Sequence, residues 1–173
     1  MEAPQDPAGP FVPEEGYGPK RRDEFIAVIE SAPAGLREAV AGLSGGQLDT
    51  RYRNWTVRQI VHHLADSHVH SYVRFKWALT EERPTIKPYD EGRWAELEDA
   101  RTGDVRPSLA LLEGLHARWV RLLRSMTEAQ FGRSFFHPET GQAVSLGAAR
   151  CYYAWHCRHH TAQVRWLRGQ RGW

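Results

Sequence analysis

The chain has 173 residues, of which nine are histidine and two are cysteine, and its formal net charge is +2 at neutral pH. This length suits a single domain. A charge so close to zero argues against binding driven by nucleic-acid phosphates, and no apolar run is long enough to cross a membrane. The first residues lack the basic and apolar segments of a signal peptide, so we expect a cytoplasmic protein.

The first twenty residues are rich in proline and glycine. A regular helix or a central strand is excluded there, because proline has no amide hydrogen to donate. The prolines are Pro4, Pro7, Pro10, Pro13 and Pro19. We therefore predict an extended arm over residues 1–20, held to the body by Phe11, Val12 and Tyr17, and one helical domain over residues 21–173.

Hydrophobic periodicity predicts four long helices after the arm. They cover residues 22–43, 56–80, 107–126 and 146–167. Pro33 is expected to break or kink the first helix. Thr56 and Gln59 have the spacing of a capping box for the second. Pro107 suits the first turn of the third helix, and Gly169 is expected to end the fourth.

Two of the connections between these helices are long. Residues 81–106 carry prolines and a glycine, with a possible short helix at 93–99, and residues 127–145 contain a hairpin-like excursion at 135–144. Four helices joined by such long crossovers predict an all-α four-helix bundle. Metal sites in such bundles are often built from side chains on facing helices.

Seven of the nine histidines fall in two short windows, 62–70 and 156–160. Imidazole is the commonest metal ligand and titrates near neutral pH. On a helical wheel of the fourth helix, His156 and His160 lie one turn apart inside the apolar arc. They are either a two-histidine clamp on a metal or two core histidines that find separate partners.

A metal would need a third ligand, and the 62–70 window can supply it. The wheel of the second helix slightly favours His68, which lies nearer the apolar centre, over His63, which lies at the rim. His62 faces away and is expected to be solvated. His116 on the third helix is expected to be a packed or partly exposed residue.

The two cysteines, Cys151 and Cys157, lie six residues apart in one predicted helix. Six residues turn a helix by about 600°, so the two side chains diverge. We expect no disulfide between them, and reduced thiols fit the cytoplasm.

Several stretches of the chain stand out together: the tryptophan-led segment 55–68, the segments 72–76 and 87–91, and the histidine-rich closing motif 155–162. These stretches resemble the DinB/YfiT superfamily, and in particular its YfiT branch, from about residue 10 to the end. The resemblance implies a DinB-like four-helix bundle of up-down-down-up order. It also implies a homodimer, since members often form one.

The resemblance further implies the metal ligands. They would be His63, His156 and His160, with His63 taking the place that the wheel gives to His68. The metal would be one divalent ion per chain, zinc or nickel, with water completing its shell. Three protein ligands with open positions are typical of a catalytic site, because a structural zinc closes its shell with four.

Two activities are implied by the resemblance. The first transfers a low-molecular-weight thiol such as bacillithiol to an electrophilic small molecule, after the metal lowers the pKa of the thiol. The second is metal-dependent hydrolysis of an ester or amide by activated water. Because such a thiol carries carboxylates, Arg74 and Lys87 are candidate contacts for it. Asp66 is a candidate for orienting a ligand.

Functions of other classes also fit the residues. The site could be a sensor or structural clasp in a non-catalytic metal-binding dimerisation module, which a fourth protein ligand, His68 or Asp66, would favour. Residues 140–173 contain arginines and no acidic residue, which leaves nucleic-acid binding as a third reading, although helix dipoles account for arginine there. The expected partners are a thiol, an electrophile or ester, and a second copy, with no nucleic acid and no membrane.

Overall fold

The computed structural model describes residues 2–13 and 19–173, and most of that part is helical. The elements in chain order are α1 (Pro19–Val40), α2 (Gly45–Leu48), β1 (Arg51–Tyr52), β2 (Trp55–Thr56), α3 (Val57–Thr80), α4 (Glu91–Ala95), α5 (Glu98–Thr102), α6 (Arg106–Ser125), α7 (Glu128–Phe131), β3 (Ser134–His137), β4 (Gln142–Ser145) and α8 (Leu146–Arg171). The predicted all-α class with four long helices is confirmed.

The long helices α1, α3, α6 and α8 form a bundle. α1 and α3 each pack against α6 and α8, so α1 and α3 lie on opposite corners. Their buried side chains form two apolar clusters, one of which includes Trp119 and the other Leu112. Along three of the helices a buried histidine lies where one cluster gives way to the other: His68, His116 and His160.

The start of α3 is set by its capping residues and by a short hairpin. The Thr56 side chain accepts from the Gln59 amide and the Gln59 side chain accepts from the Thr56 amide, as the capping box predicted. The antiparallel pair β1–β2, which the sequence did not indicate, pairs Tyr52 with Trp55 immediately before the helix. This turn holds Trp55 beside the first turns of α3.

Helix α1 passes through Pro33 without ending, so of the predicted break or kink the break is wrong. Proline has no amide hydrogen, and the carbonyl of Ile29, one turn earlier, therefore lacks its usual helical donor. That carbonyl oxygen lies 2.6 Å from Nδ1 of His116 on α6. A histidine of a neighbouring helix thus supplies the hydrogen bond that Pro33 removes.

Helix α8 also runs further than predicted. It continues through Gly169 and ends before Gly172, whose φ of 69° is the left-handed conformation that glycine adopts at helix ends. Gly169 therefore lies inside the helix, and Gly172 is the glycine that adopts positive φ at its end.

The long connections fold back over the bundle. The predicted excursion at 135–144 is confirmed as the hairpin β3–β4. The predicted short helix at 93–99 is two helices, α4 and α5. The amide of Ile86 donates to the carbonyl of Phe136 at 3.0 Å, and the amide of Phe136 donates to the carbonyl of Pro84 at 2.9 Å. These bonds join the connection after α3 to the hairpin.

The described part of the N-terminal arm lies against α8. Nε1 of Trp155 donates to the carbonyl of Gly9 at 2.8 Å, and the Phe11 ring lies 5.7 Å from the Trp155 ring. Val12 is 65% exposed, so the packing expected of it is wrong. Tyr17 and the rest of residues 14–18 lie outside the described part of the chain.

Two further sequence predictions concern the two cysteines and membrane-spanning helices. Cys151 and Cys157 are both free and buried. No helix in the described part of the chain has both the length and the apolar character that a membrane span requires.

Candidate metal centre

Three buried histidines converge between α3 and α8. Nε2 of His156 lies 3.3 Å from Nε2 of His63 and 3.2 Å from Nε2 of His160. Among the described residues these three form the one group whose ligand atoms all lie within 4.8 Å of one another. The pair on α8 is brought together by helical spacing, and His63 joins it because α3 packs against α8.

Burial keeps these imidazoles neutral. It lowers the pKa of His63 to about 4, with a smaller contribution from His159. Burial also lowers the pKa of His156 and of His160 well below the usual value for histidine, and the neighbouring imidazoles add to the effect. Neutral imidazole is the form that binds metal.

The direction of the His160 lone pair is fixed by Gln163, which lies one turn further along α8. Nδ1 of His160 lies 2.8 Å from Oε1 of Gln163, and an amide oxygen only accepts. Nδ1 therefore carries the proton, and Nε2 presents a lone pair toward His156. Gln163 was not predicted from the sequence, although its spacing of three residues from His160 is the spacing of neighbours on one helix face.

The two distances that join Nε2 of His156 to the other two ligand nitrogens fit a tetrahedral metal. Bonds of about 2.0–2.1 Å to nitrogen in tetrahedral geometry place neighbouring ligand atoms about 3.3 Å apart. The two distances to His156 Nε2 are 3.3 and 3.2 Å. Three buried imidazoles whose nitrogens converge at this spacing are a set of donors that suits a divalent cation.

Trp55 covers one side of the three histidines. Its ring lies 4.4 Å from the His63 ring and 6.2 Å from the His160 ring, with which it is stacked. In the sequence, Trp55 stood out only as the first residue of a segment that resembles the family. Its place before the N-cap of α3, together with the hairpin, gives it a packing role that restrains both imidazoles.

The structure places His63, rather than His68, with the pair on α8. His68 is 1% exposed and lies deeper in the bundle, where its Nε2 is 3.2 Å from Nδ1 of His156. It therefore meets the far side of the His156 ring. The wheel favoured His68 because it measures depth, whereas a ligand must face the other two ligands.

His62 was expected to be solvated, and that prediction is wrong. The residue is 8% exposed, with Nδ1 2.8 Å from the hydroxyl of Ser108 and Nε2 3.3 Å from the carbonyl of Gly103. The segment between α5 and α6 covers this face of α3. A wheel of one helix cannot show what a distant connection packs onto it.

A cavity of about 480 Å³ meets the group of three histidines at His156, which lies in its wall. Its other walls come from α3, the segment that leads into α4, the β3–β4 hairpin, the arm and the start of α8. Most of the lining side chains are apolar or aromatic, and the acidic ones are Glu91 and Glu139. The apolar and aromatic side chains include Phe11, Tyr89, Phe135, Val144, Tyr152 and Tyr153. The cavity can hold a small organic molecule beside the candidate ligands.

Two nitrogen atoms of this wall are buried without a hydrogen-bond partner among the described residues, Nε of Arg74 and Nδ1 of His137. Arg74 is 9% exposed, and in the described part of the chain no ion pair is formed with it. A buried guanidinium without an acidic partner is costly unless an anion reaches it. The cavity thus offers a binding point for a carboxylate.

Lys87 and Asp66, the other predicted contacts, are not placed in the cavity wall as Arg74 is. Lys87 is exposed and is not one of the residues lining the cavity. The position of Lys87 therefore gives no support to the predicted contact with a cosubstrate in the cavity. Burial and, to a smaller extent, Asp99 raise the pKa of Asp66 to about 6. Within the described residues no hydrogen bond joins Asp66 to the three histidines.

These features define a class of protein: a helical bundle with three convergent buried histidines beside an apolar cavity. The family model described as the DinB superfamily matches residues 28–164, and the chain belongs to this superfamily. YfiT of Bacillus subtilis, provisionally named a metal-dependent hydrolase, is 50% identical over 169 residues, which are 96% of this chain and 95% of YfiT.

Other comparisons agree with this membership. A relative from Geobacillus kaustophilus with the same provisional name is 46% identical and covers 96% of this chain and 95% of its own length. The solved structure of Bacillus subtilis YfiT, described as a four-helix bundle of unusual topology, matches with a TM-score of 0.94 at 49% identity over 97% of both chains. The predicted family and fold are therefore confirmed.

Proposed function

We propose that this protein is a metal-dependent enzyme that transfers a carboxylate-bearing low-molecular-weight thiol to an electrophilic small molecule. His63, His156 and His160 would hold one divalent ion, zinc or nickel, since imidazole ligands accept both. Their buried, neutral side chains and nitrogen distances near 3.3 Å support a metal at this position. Three protein ligands leave coordination positions open for substrate.

The observation that carries thiol transfer is Arg74. It is the guanidinium in the cavity wall, it is buried, and its Nε has no partner among the described residues. A thiol cosubstrate with a carboxylate can pair with Arg74 while its sulfur reaches the side of the cavity that His156 borders. Hydrogen bonds to charged groups of this kind contribute about 1.5–3 kcal/mol each.

The remaining side chains of the cavity bind and shield the other reactant. Phe135, Val144 and Tyr153 present apolar surface to an electrophile with a hydrophobic body. The same surface excludes water, which would compete with the thiol. Trp55 keeps the rings of His63 and His160 in place through its contacts with both.

A bound divalent metal would supply one kind of chemistry here, lowering the pKa of a thiol or water molecule that coordinates it. In the transfer, a new bond forms between sulfur and the electrophilic carbon, the bond from that carbon to its leaving group breaks, and the thiol proton passes to solvent. Arg74 would bind the carboxylate end of the thiol and so hold this cosubstrate in the cavity.

Hydrolysis of an ester or amide is the second candidate, and the provisional names of the relatives favour it. It would use the same three histidines and the same cavity. It gives no role to the buried cation of Arg74 unless the substrate is itself an anion. This difference makes the charge of the preferred cosubstrate the deciding property.

Two expectations beyond the chemistry stay predictions, the homodimer and the cytoplasmic location. A non-catalytic metal-binding dimerisation module would need no cavity beside its metal. The cavity of about 480 Å³ with His156 in its wall therefore favours catalysis over such a module. Sedimentation of the purified protein would test the dimer.

The function is tested by assaying metal-loaded and metal-depleted protein side by side. Conjugation of a chromogenic electrophile is measured with bacillithiol, cysteine and glutathione, and hydrolysis is measured with a neutral chromogenic ester. We expect a metal-dependent conjugation rate with at least one carboxylated thiol. Metal-dependent ester hydrolysis without conjugation would contradict transfer and support hydrolysis, and no metal-dependent rate in either assay would contradict both.

A further inference from the structure

Two buried histidines outside the metal centre lie in line with one of its ligands. Nδ1 of His116 is 2.6 Å from the carbonyl oxygen of Ile29, and Nε2 of His116 is 2.8 Å from Nδ1 of His68. Nε2 of His68 is in turn 3.2 Å from Nδ1 of His156. The row takes one residue from each long helix, in the order α1, α6, α3, α8.

The first bond of this row has only one possible direction. A carbonyl oxygen accepts and cannot donate, so Nδ1 of His116 carries a proton that it donates to Ile29. The carbonyl is available because Pro33, four residues later in α1, has no amide hydrogen. The direction of the row is thus set by a proline in a helix that carries no metal ligand.

The donor and acceptor in this first bond determine the donor and acceptor in the next two bonds. A neutral imidazole has one donor and one acceptor, so Nε2 of His116 accepts and Nδ1 of His68 donates to it. By the same rule Nε2 of His68 accepts from Nδ1 of His156. Burial lowers the pKa of both His68 and His116, which agrees with neutral rings.

The last ring of the row is left with one free nitrogen. Since Nδ1 of His156 holds the proton, its Nε2 holds a lone pair, and that atom is the one facing His63 and His160. Together with Nε2 of His160, whose lone pair is fixed by Gln163, this nitrogen is therefore prepared for a cation before it arrives. A histidine in the opposite tautomer would present a proton to the metal instead.

We propose that His68 and His116 are positioning residues that fix the tautomer and ring orientation of the metal ligand His156, with the Ile29 carbonyl freed by Pro33 as the anchor. The proposal rests on the metal centre of the proposed function. It also makes a claim about the metal-free protein, and the two can therefore fail separately.

A histidine with a merely structural role would not act on a metal ligand. His62 shows the contrast, because it is buried on the same helix and bonded to Ser108 and Gly103 without contacting the three ligands. His62 is therefore a matched control for the cost of changing a buried histidine of α3.

The direct test measures nitrogen chemical shifts of the histidine rings in metal-free protein labelled with ¹⁵N-histidine, at neutral pH. We expect His156, His68 and His116 all to be protonated at Nδ1 and bare at Nε2. A proton on Nε2 of His156 or His68 would overturn the proposal, whatever the metal affinity. If these tautomers are found but the protein binds no metal, the positioning network stands and the proposed function fails.

A second test compares three variants in competition with a zinc chelator. His68→Leu removes both bonds and is expected to weaken zinc binding by about 10–100-fold, the usual cost of losing an outer partner of a metal ligand. His68→Gln keeps an oxygen to accept from His156 and an amide to donate to His116, and it should restore most of the affinity. His62→Leu should bind zinc like the unaltered protein.

Circular dichroism under the same conditions shows whether each variant is folded. Equal zinc affinity in folded His68→Leu and His62→Leu would overturn the proposal, as would a folded His68→Gln no better than His68→Leu. If His68→Leu does not fold, the nitrogen chemical shifts of the unaltered protein still decide the matter.

Discussion

The bundle holds two groups of buried histidines whose surroundings differ. In the centre formed by His63, His156 and His160, three nitrogens face one another beside a cavity. At His68 and His116, every ring nitrogen meets a donor or acceptor of the protein. All five side chains are buried, so depth alone does not distinguish a metal ligand from the histidines that support it, whereas the partner of each ring nitrogen does.

The largest expected effect follows from removing the ligands themselves. A His156→Ala, His160→Ala variant should lose its metal, falling from about one ion per chain to almost none, because a single histidine cannot hold a divalent ion tightly. Elemental analysis of purified protein measures this. His62→Leu is the control and should keep its metal, and a double variant that retains near-stoichiometric metal would contradict the site.

The pH dependence of stability should report the buried ligands in the metal-free protein. The pKa of His63 is about 4 in the folded chain and near 6.5 when unfolded, so the unfolded chain binds more protons between these values. Stability present above pH 6.5 is therefore lost as pH falls toward 4, by roughly 3 kcal/mol for this residue alone.

Denaturant unfolding of metal-free protein at several pH values measures that loss. His63→Leu should lose less stability over the same pH range, because one titrating group is gone. A metal-free protein whose stability does not change between pH 7 and pH 4 would show that these histidines are not buried in neutral form.

Arg74 lies in the wall of the cavity, and changing it tests whether a carboxylate binds there. Arg74→Met should raise KM for a carboxylated thiol by about 10–100-fold, since it removes a charged hydrogen bond, and should leave kcat nearly unchanged. The matched control is Lys87→Met, whose exposed side chain lies outside the cavity wall. Equal KM values for the two variants would remove the argument for an anionic cosubstrate.

The smallest effect is expected from Pro33→Ala. The new amide hydrogen can bond the carbonyl of Ile29 in the ordinary helical way and compete with His116. Because one neutral hydrogen bond contributes about 0.5–1.5 kcal/mol, zinc binding should weaken by about 2–10-fold. Chelator competition measures it, and zinc binding tightened by this substitution would contradict the anchor.

The sequence predicted most of what lies within one helix. His156 and His160 share a face of α8, and periodicity alone placed them together. The capping residues Thr56 and Gln59 marked the start of α3 for the same local reason. Gln163 was within reach of this reasoning through its spacing from His160.

What the sequence could not supply depends on contacts between elements. The choice of His63 over His68 came from the family resemblance, because the wheel records depth and cannot show which neighbour a ring meets. His62 was misjudged for a similar reason, since its cover comes from the distant Gly103. Helix α1 continues through Pro33, where a break or kink was expected, and His116 of another helix replaces the lost bond.

The central claim is that His63, His156 and His160 hold one divalent ion. X-ray diffraction from crystals of zinc-loaded protein, recorded on both sides of the zinc absorption edge, tests it most directly. The account predicts one strong anomalous peak per chain at about 2.0–2.1 Å from Nε2 of all three histidines. No peak there, or a peak coordinated by His68 in place of His63, would contradict it.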